Sequence, residues 1–183
     1  MTEHATAAQS DRSSQHATSA PKARFRLDAA FFVIAAAVFA LDQVTKVIVR
    51  AALSPHEAWP DEGWVLNIVN VSNSGAAFGI LQGQTLFLVV TSLVGVGAIV
   101  LYYLYPPLEH GLLRAALALQ LGGAAGNLID RVRTGEVTDF INFRHWPAFN
   151  VADSSISVGV VTILWFFLVL EGDRLLSKPR AGQ

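Results

Sequence analysis

The chain has 183 residues, of which 52% are hydrophobic and only 15% charged, against about 25% charged in an average soluble domain. That composition excludes a disordered or collagenous protein and disfavours a soluble enzyme, and a formal net charge of -1 leaves no basic field to hold nucleic acid. Cysteine is absent, which removes disulfides, a thiol nucleophile, Cys-ligated metal and lipid attachment to the chain's own Cys.

Residues 1–26 are rich in Ala, Ser, Thr, Gln and His, with Phe25 the one aromatic. They cannot bury enough apolar surface to offset the entropy of ordering, so a disordered cytoplasmic tail is expected. The polar stretch is too long for a signal peptide. A membrane domain is expected over 27–174, followed by a second cytoplasmic tail over 175–183. Four apolar stretches carry that domain: 29–49, broken by Asp42, Gln43, Thr45 and Lys46; a second within 80–108; 112–129; and 154–170. About 20 residues of helix cross a bilayer, and backbone there must satisfy itself internally, so four spanning helices are predicted. Lys22, Arg24 and Arg26 precede the first, Arg114 falls between the second and third, and Arg174, Lys178 and Arg180 follow the fourth. By the distribution of Lys and Arg, both termini are cytoplasmic and the segments 50–80 and 130–153 lie outside.

In the first outer segment, Pro60-Asp61-Glu62-Gly63 reads as a turn and Trp64 to Val71 as a β-branched strand. The small residues of Asn73-Ser74-Gly75-Ala76-Ala77-Phe78-Gly79 permit close backbone approach to a ligand or helix, or form a plain glycine loop. In the second, Phe140, Phe143, Trp146 and Phe149 recur at every third position and read as an interfacial aromatic belt.

Ionisable groups inside or at the edge of a span are expensive and face partners. Asp42 and Lys46 are spaced i, i+4, as a structural pair or a lipid-headgroup anchor. Gly122 and Gly126 offer a small face for helix packing. Asn127, Asp130 and Arg131 share the next turn, with Arg131 expected to hold Asp130 ionised. Asp139 and Asp153 stand in apolar sequence at the expected outer face. Asp153 begins the fourth span, where Asn150 and Asp153 also fit a capping box. Two carboxyls held close share one proton, so one can take a proton from water while the other protonates a carbonyl oxygen or leaving amine. That apparatus cleaves a peptide without Cys, metal or a Ser–His pair.

Four blocks occur in order: Leu41-Asp42-Gln43-Val44-Thr45-Lys46; Asn73-Ser74-Gly75-Ala76-Ala77-Phe78; Gly126-Asn127-Leu128-Ile129-Asp130-Arg131 running into Gly135-Glu136-Val137-Thr138-Asp139-Phe140; and Phe149-Asn150-Val151-Ala152-Asp153. With these the sequence resembles the lipoprotein signal peptidases, the bacterial type II signal peptidases, over about 26–170. The resemblance implies a membrane all-α fold with a small β part: four transmembrane helices, an extracytoplasmic β-cradle and a lid segment. It implies an aspartyl endopeptidase that removes the signal peptide from diacylglyceryl-modified prolipoproteins, cutting just before the lipidated Cys. The family's catalytic pair falls on Asp139 and Asp153, and its other motif residues on Asp42, Lys46, Asn73, Gly75, Ala76, Phe78, Asn127, Asp130, Arg131, Asn150 and Ala152. Of these, Asn73, Asn127 and Arg131 are expected to orient the substrate backbone.

No cofactor or metal is expected, and the expected partners are the prolipoprotein and the phospholipid membrane, with no nucleic acid. A monomer in the bacterial cytoplasmic membrane is expected, its active site at the outer face. Asp153 is expected to be the base, because it alone stands at a helix start, and Asp139 the protonated partner. A small proton-coupled transporter is the alternative, but it requires acids near mid-span and an internal repeat. A non-enzymatic assembly subunit would leave Asp139 and Asp153 unexplained.

Overall fold

The computed structural model of the chain describes residues 3–60, 64–75, 80–106, 108 and 110–171, with side chains described between 28 and 169. Among the described residues four α-helices and four short strands follow one another in the order α-β-β-α-α-β-β-α. They are α1 (Glu3–Ala52), β1 (Ala58–Trp59), β2 (Leu66–Asn73), α2 (Thr85–Leu104), α3 (Gly111–Thr134), β3 (Val137–Phe143), β4 (Trp146–Phe149) and α4 (Val151–Trp165), which continues as a π-helical turn over Phe166–Glu171. Residues 1–26, expected to be a disordered tail, are helical in backbone from Glu3, in keeping with their alanine content; their side chains lie outside the described residues. The C-terminal tail and the 61–63 part of the expected turn lie outside them too.

Four helical stretches are long and apolar enough to span a bilayer: Asp28–Ala52, Thr85–Leu104, Gly111–Thr134 and Val151–Val169. Three of them leave most side chains exposed, whereas α3 is half buried. The exposed residues are large and apolar, such as Val47, Leu86, Val94, Leu101 and Val161, which is the surface hydrocarbon covers rather than water. The half-buried α3 is the centre, packed most extensively against α4 and α1 and less against α2.

Small residues make that packing close. A Cβ on Gly122 would stand 2.5 Å from the backbone oxygen of Ala35 and 2.8 Å from Cβ of Val38, both on α1. Gly126, one turn on, faces Asp42 of the same helix, so the Gly122/Gly126 face expected from sequence is the α1 contact. Gly122→Ala should therefore force α1 and α3 apart. We expect a loss of about 1–3 kcal/mol, the usual cost of overpacking, read as a lowered unfolding temperature in detergent.

The strands form one antiparallel sheet in the order β1-β2-β3-β4. β1 and β2 lie between the end of α1 and the start of α2, and β3 and β4 between α3 and α4, so the sheet sits at one end of the bundle. At the opposite end Arg114 pairs with Asp28 and lies 5.6 Å from the centre of the Tyr103 ring. Arg114 is thus a buried residue in the first turn of α3, not a member of the connecting turn.

β2 begins two residues later than the strand expected at 64–71. The residues expected as an aromatic belt stand on a hairpin, in which Phe143 pairs across from Trp146 and Ile141 from Phe149. A spacing of three hid it, because the Arg144-His145 turn interrupts the two-residue period of the strands. Phe140 faces inward and is buried, while Phe143 and Trp146 are exposed.

Candidate active site

The first four residues of β3, Val137 to Phe140, are all buried, so Asp139 is carried inward between Thr138 and Phe140. Asp153 stands in the first turn of α4. The turn between them, at Asn150, joins the two. Asn150 caps α4: its Oδ1 accepts from the backbone N–H of Asp153 at 3.0 Å, and its own backbone N–H donates to Asp153 Oδ2 at 3.2 Å. The expected capping box is therefore present, and it does not take Asp153 away from the site. Because Oδ1 of Asn150 is held by that N–H, its Nδ2 points the other way and donates to Asp139 Oδ1 at 2.7 Å.

Two further amides complete the set. Asn73, the last residue of β2, accepts from the Gly75 N–H at 2.9 Å and donates to Asp139 Oδ2 at 2.9 Å. Asn127 of α3 donates to Asp153 Oδ1 at 2.8 Å. Each of the four carboxyl oxygens thus accepts a hydrogen bond. Both acids line a cavity of about 860 Å³, together with Asn73, Gly75, Asn127 and Arg131. Burial pushes the Asp139 carboxyl up to about 6, and the Asp153 charge adds to this, while the amides of Asn73 and Asn150 and the Lys46 charge oppose it. A carboxyl near 6 is poised to hold or release a proton close to neutrality.

Behind the cavity wall lies a second, dry cluster. Lys46 is wholly buried and pairs with Asp42 at 2.8 Å and with Asp130 at 2.8 Å. Asp42 Oδ1 accepts the backbone N–H of Ala152 at 3.0 Å, tying α1 to the start of α4. Of the two readings of Asp42 and Lys46, the geometry fits the structural pair rather than the headgroup anchor: neither side chain reaches any surface.

Asp130 is corrected as well. On the helix, Asn127 and Arg131 are four residues apart and both face the cavity, whereas Asp130 turns toward α1. Its partner is Lys46 rather than Arg131, and Arg131 donates to the Gly75 carbonyl at 3.2 Å. Ala76 and Phe78 lie outside the described residues.

A sequence model of the Signal peptidase (SPase) II family matches residues 34–169. The chain belongs to the signal peptidase II family. Its members are proteases, and with four span-capable helices the chain is a multi-pass membrane protein. It is 44% identical over 145 residues to the lipoprotein signal peptidase of Moorella thermoacetica, covering 79% of this chain and 96% of that one. It is 46% identical over 141 residues to that of Caldanaerobacter subterraneus subsp. tengcongensis, covering 76% and 96%. A solved bacterial membrane enzyme superposes with a TM-score of 0.73 at 34% identity, over 84% of this chain and 94% of that one. A second gives 0.69 at 36% identity, over 76% and 92%.

Against this family background, three polar residues of the cluster went unread in the sequence. Gln43 donates to Asp42 at 3.2 Å, to the Gly126 carbonyl at 3.2 Å and to Asp130 at 3.4 Å. Arg50 donates to Thr138 at 2.9 Å and lies 4.0 Å from Asp130. Arg50 carried a signal, since 42, 46 and 50 fall one helical turn apart. Gln43 and Thr138 carried only their place beside Asp42 and Asp139 in the family blocks.

Proposed function

We propose that the protein is an aspartyl endopeptidase that removes signal peptides from diacylglyceryl-modified prolipoproteins, cutting immediately before the lipidated Cys. The observation that carries this reading is the shared amide: Asn150 donates to Asp139 while forming the capping box with Asp153, so a strand carboxyl and a helix carboxyl face one cavity. The relatives named lipoprotein signal peptidase supply the substrate class. The enzyme works as a monomer at the outer face of the bacterial cytoplasmic membrane, with both termini cytoplasmic.

In this mechanism the substrate's acyl chains stay in the bilayer and bring the scissile bond to the sheet end of the bundle, so the membrane supplies orientation. Asp153, where the positive end of α4 faces a negative group, takes a proton from water as the water attacks the carbonyl carbon. Asp139 gives its proton to the carbonyl oxygen. The resulting tetrahedral intermediate collapses when the leaving amine is protonated, and the pair returns to sharing one proton. Arg131 and Asn73 orient the substrate backbone.

The purified protein in detergent should release the signal peptide from a diacylglyceryl prolipoprotein and leave the modified Cys as the new N-terminus. Cleavage elsewhere, or of the unmodified precursor equally well, would overturn the substrate assignment. Activity should be unchanged in EDTA; its loss would mean a metal takes part. The dependence of kcat/KM on pH follows from Asp139. Its carboxyl, at about 6, must keep its proton to act as the acid, so kcat/KM should decline as pH rises through about 6 and beyond. It should also decline in acid, where Asp153 is protonated and no base remains. A flat profile from pH 5 to 8, or a titration finding Asp153 neutral and Asp139 ionised in the resting pair, would sink the assignment of roles.

A further inference from the structure

The three amides that hold the carboxyl pair are each oriented by a donor on their oxygen side. For Asn73 and Asn150 that donor is a backbone N–H, from Gly75 and Asp153. Asn127 differs, because its main orienting donor is a side chain from another helix: Lys46 Nζ lies 2.9 Å from Asn127 Oδ1. An ammonium donates three hydrogen bonds and accepts none, so the end of the amide that faces Lys46 must be the oxygen. The nitrogen then faces Asp153 Oδ1. Turning the amide over would set its N–H groups against the ammonium and its oxygen against the carboxylate, both out of water, where unmet polar groups cost most. Asn150 Nδ2 also reaches Asn127 Oδ1, at 3.2 Å, but its shorter bond goes to Asp139 at 2.7 Å.

The Lys46 ammonium also lies 2.8 Å from a carboxylate oxygen of Asp42 and 2.8 Å from one of Asp130, and these two ion pairs hold it in place. With Oδ2 of Asp153 held by the Asn150 N–H, the plane of that carboxylate is set by the Asn127 bond.

We propose that Lys46 is a positioning residue for the reaction, locking the Asn127 amide so that its N–H faces Asp153. This rests on the reading of Asp139 and Asp153 as the catalytic pair. Lys46 touches neither substrate nor reacting atoms; beyond the field that its charge exerts on Asp139, it acts through Asn127.

The test is a double-mutant cycle on prolipoprotein cleavage. Lys46→Met alone strands two buried carboxylates, so the working variant is the neutral triple Asp42→Asn/Lys46→Met/Asp130→Asn, compared with Asn127→Ala and with all four changes together. The triple variant should lose roughly 10- to 100-fold in kcat, the worth of a hydrogen bond to a charged group, with KM unchanged. Asn127→Ala should lose a similar factor, and the combined variant should be no slower than Asn127→Ala, because the two act in series. A triple variant with wild-type kcat, or losses that multiply, would overturn the proposal.

A second measurement needs no change at Lys46. In wild-type protein labelled with 15N-asparagine, the Asn127 amide should give one NH2 pair whose shift changes in Asp153→Asn; two populations, or no response, would overturn it. If Asp139→Asn still cleaves, it is the catalytic pair that fails. If Asp139→Asn is inactive while the triple variant keeps wild-type kcat, only the positioning role fails.

Discussion

Asp139→Asn and Asp153→Asn should each reduce prolipoprotein cleavage by at least about 10³-fold. A positioned general acid or base is worth roughly 10² to 10⁴ on its own, and here each acid also sets the protonation of the other. The double variant should be scarcely slower than either single one, because the two act as a unit. The fold should survive in all three, and the linkage for Asp139 gives the reason. Its carboxyl lies at about 6 in the folded protein against 3.8 ordinarily, so the folded state prefers the protonated form. Below about pH 4 both states are protonated and the preference has no effect. As pH rises from about 4 through 6 the unfolded chain ionises first, and folding loses about 3 kcal/mol by pH 7.

The uncharged amide of Asp139→Asn escapes that loss. In exchange it offers one oxygen to two donors, Asn73 and Asn150, leaving one donor unmet at about 1–3 kcal/mol. The two effects oppose each other, so unfolding at pH 7.5 should shift by no more than about 2 kcal/mol. An inactive variant that also unfolds far more easily would mean that Asp139 is needed for folding rather than chemistry.

The largest expected loss of stability is at Lys46. Its removal leaves the buried Asp42 and Asp130 facing each other, with only the partly exposed Arg50, 4.0 Å from Asp130, as a remaining cation. Breaking a buried pair from one side typically costs about 3–5 kcal/mol, and here two carboxylates depend on one cation. Lys46→Met should therefore accumulate poorly in membranes and unfold well below the wild type in detergent. Replacing both acids by Asn in the same chain should restore most of the loss, since the penalty lies in the stranded charges. A Lys46→Met protein as stable as wild type would mean that the two carboxylates are neutral or hydrated.

Much of the helical part was legible from composition, because a span is a run of apolar residues of fixed length and the bilayer permits only one way to fold it. Asp42 and Lys46 could be paired from spacing alone. The third partner could not: Asp130 sits beside Arg131 in the chain, yet successive helical residues point about 100° apart, and the α1–α3 packing through Gly122 and Gly126 decides which of the two meets Lys46. The hairpin of β3 and β4 was hidden because the Arg144-His145 turn breaks the two-residue period of its strands. Asp139 and Asp153 stood out individually, as charges in apolar sequence. Their common bond to Asn150 depends on the β3–β4 hairpin returning the chain to Asp139 just where α4 is capped, and that is a property of the folded chain.

The one-turn spacing of Asp42 and Lys46 also bears on how the chain is made. Its first spanning helix must enter lipid before the third has been synthesised, and so before Asp130 exists to meet the ammonium. Because Asp42 lies one turn before Lys46 on the same helix, α1 carries its own counter-ion across that interval and crosses as a neutral dipole rather than a bare cation. When α3 arrives, Asp130 joins a pair already formed. The same helix brings Asn127 to Lys46, so its amide is already held when α4 follows with Asp153, the acid it meets.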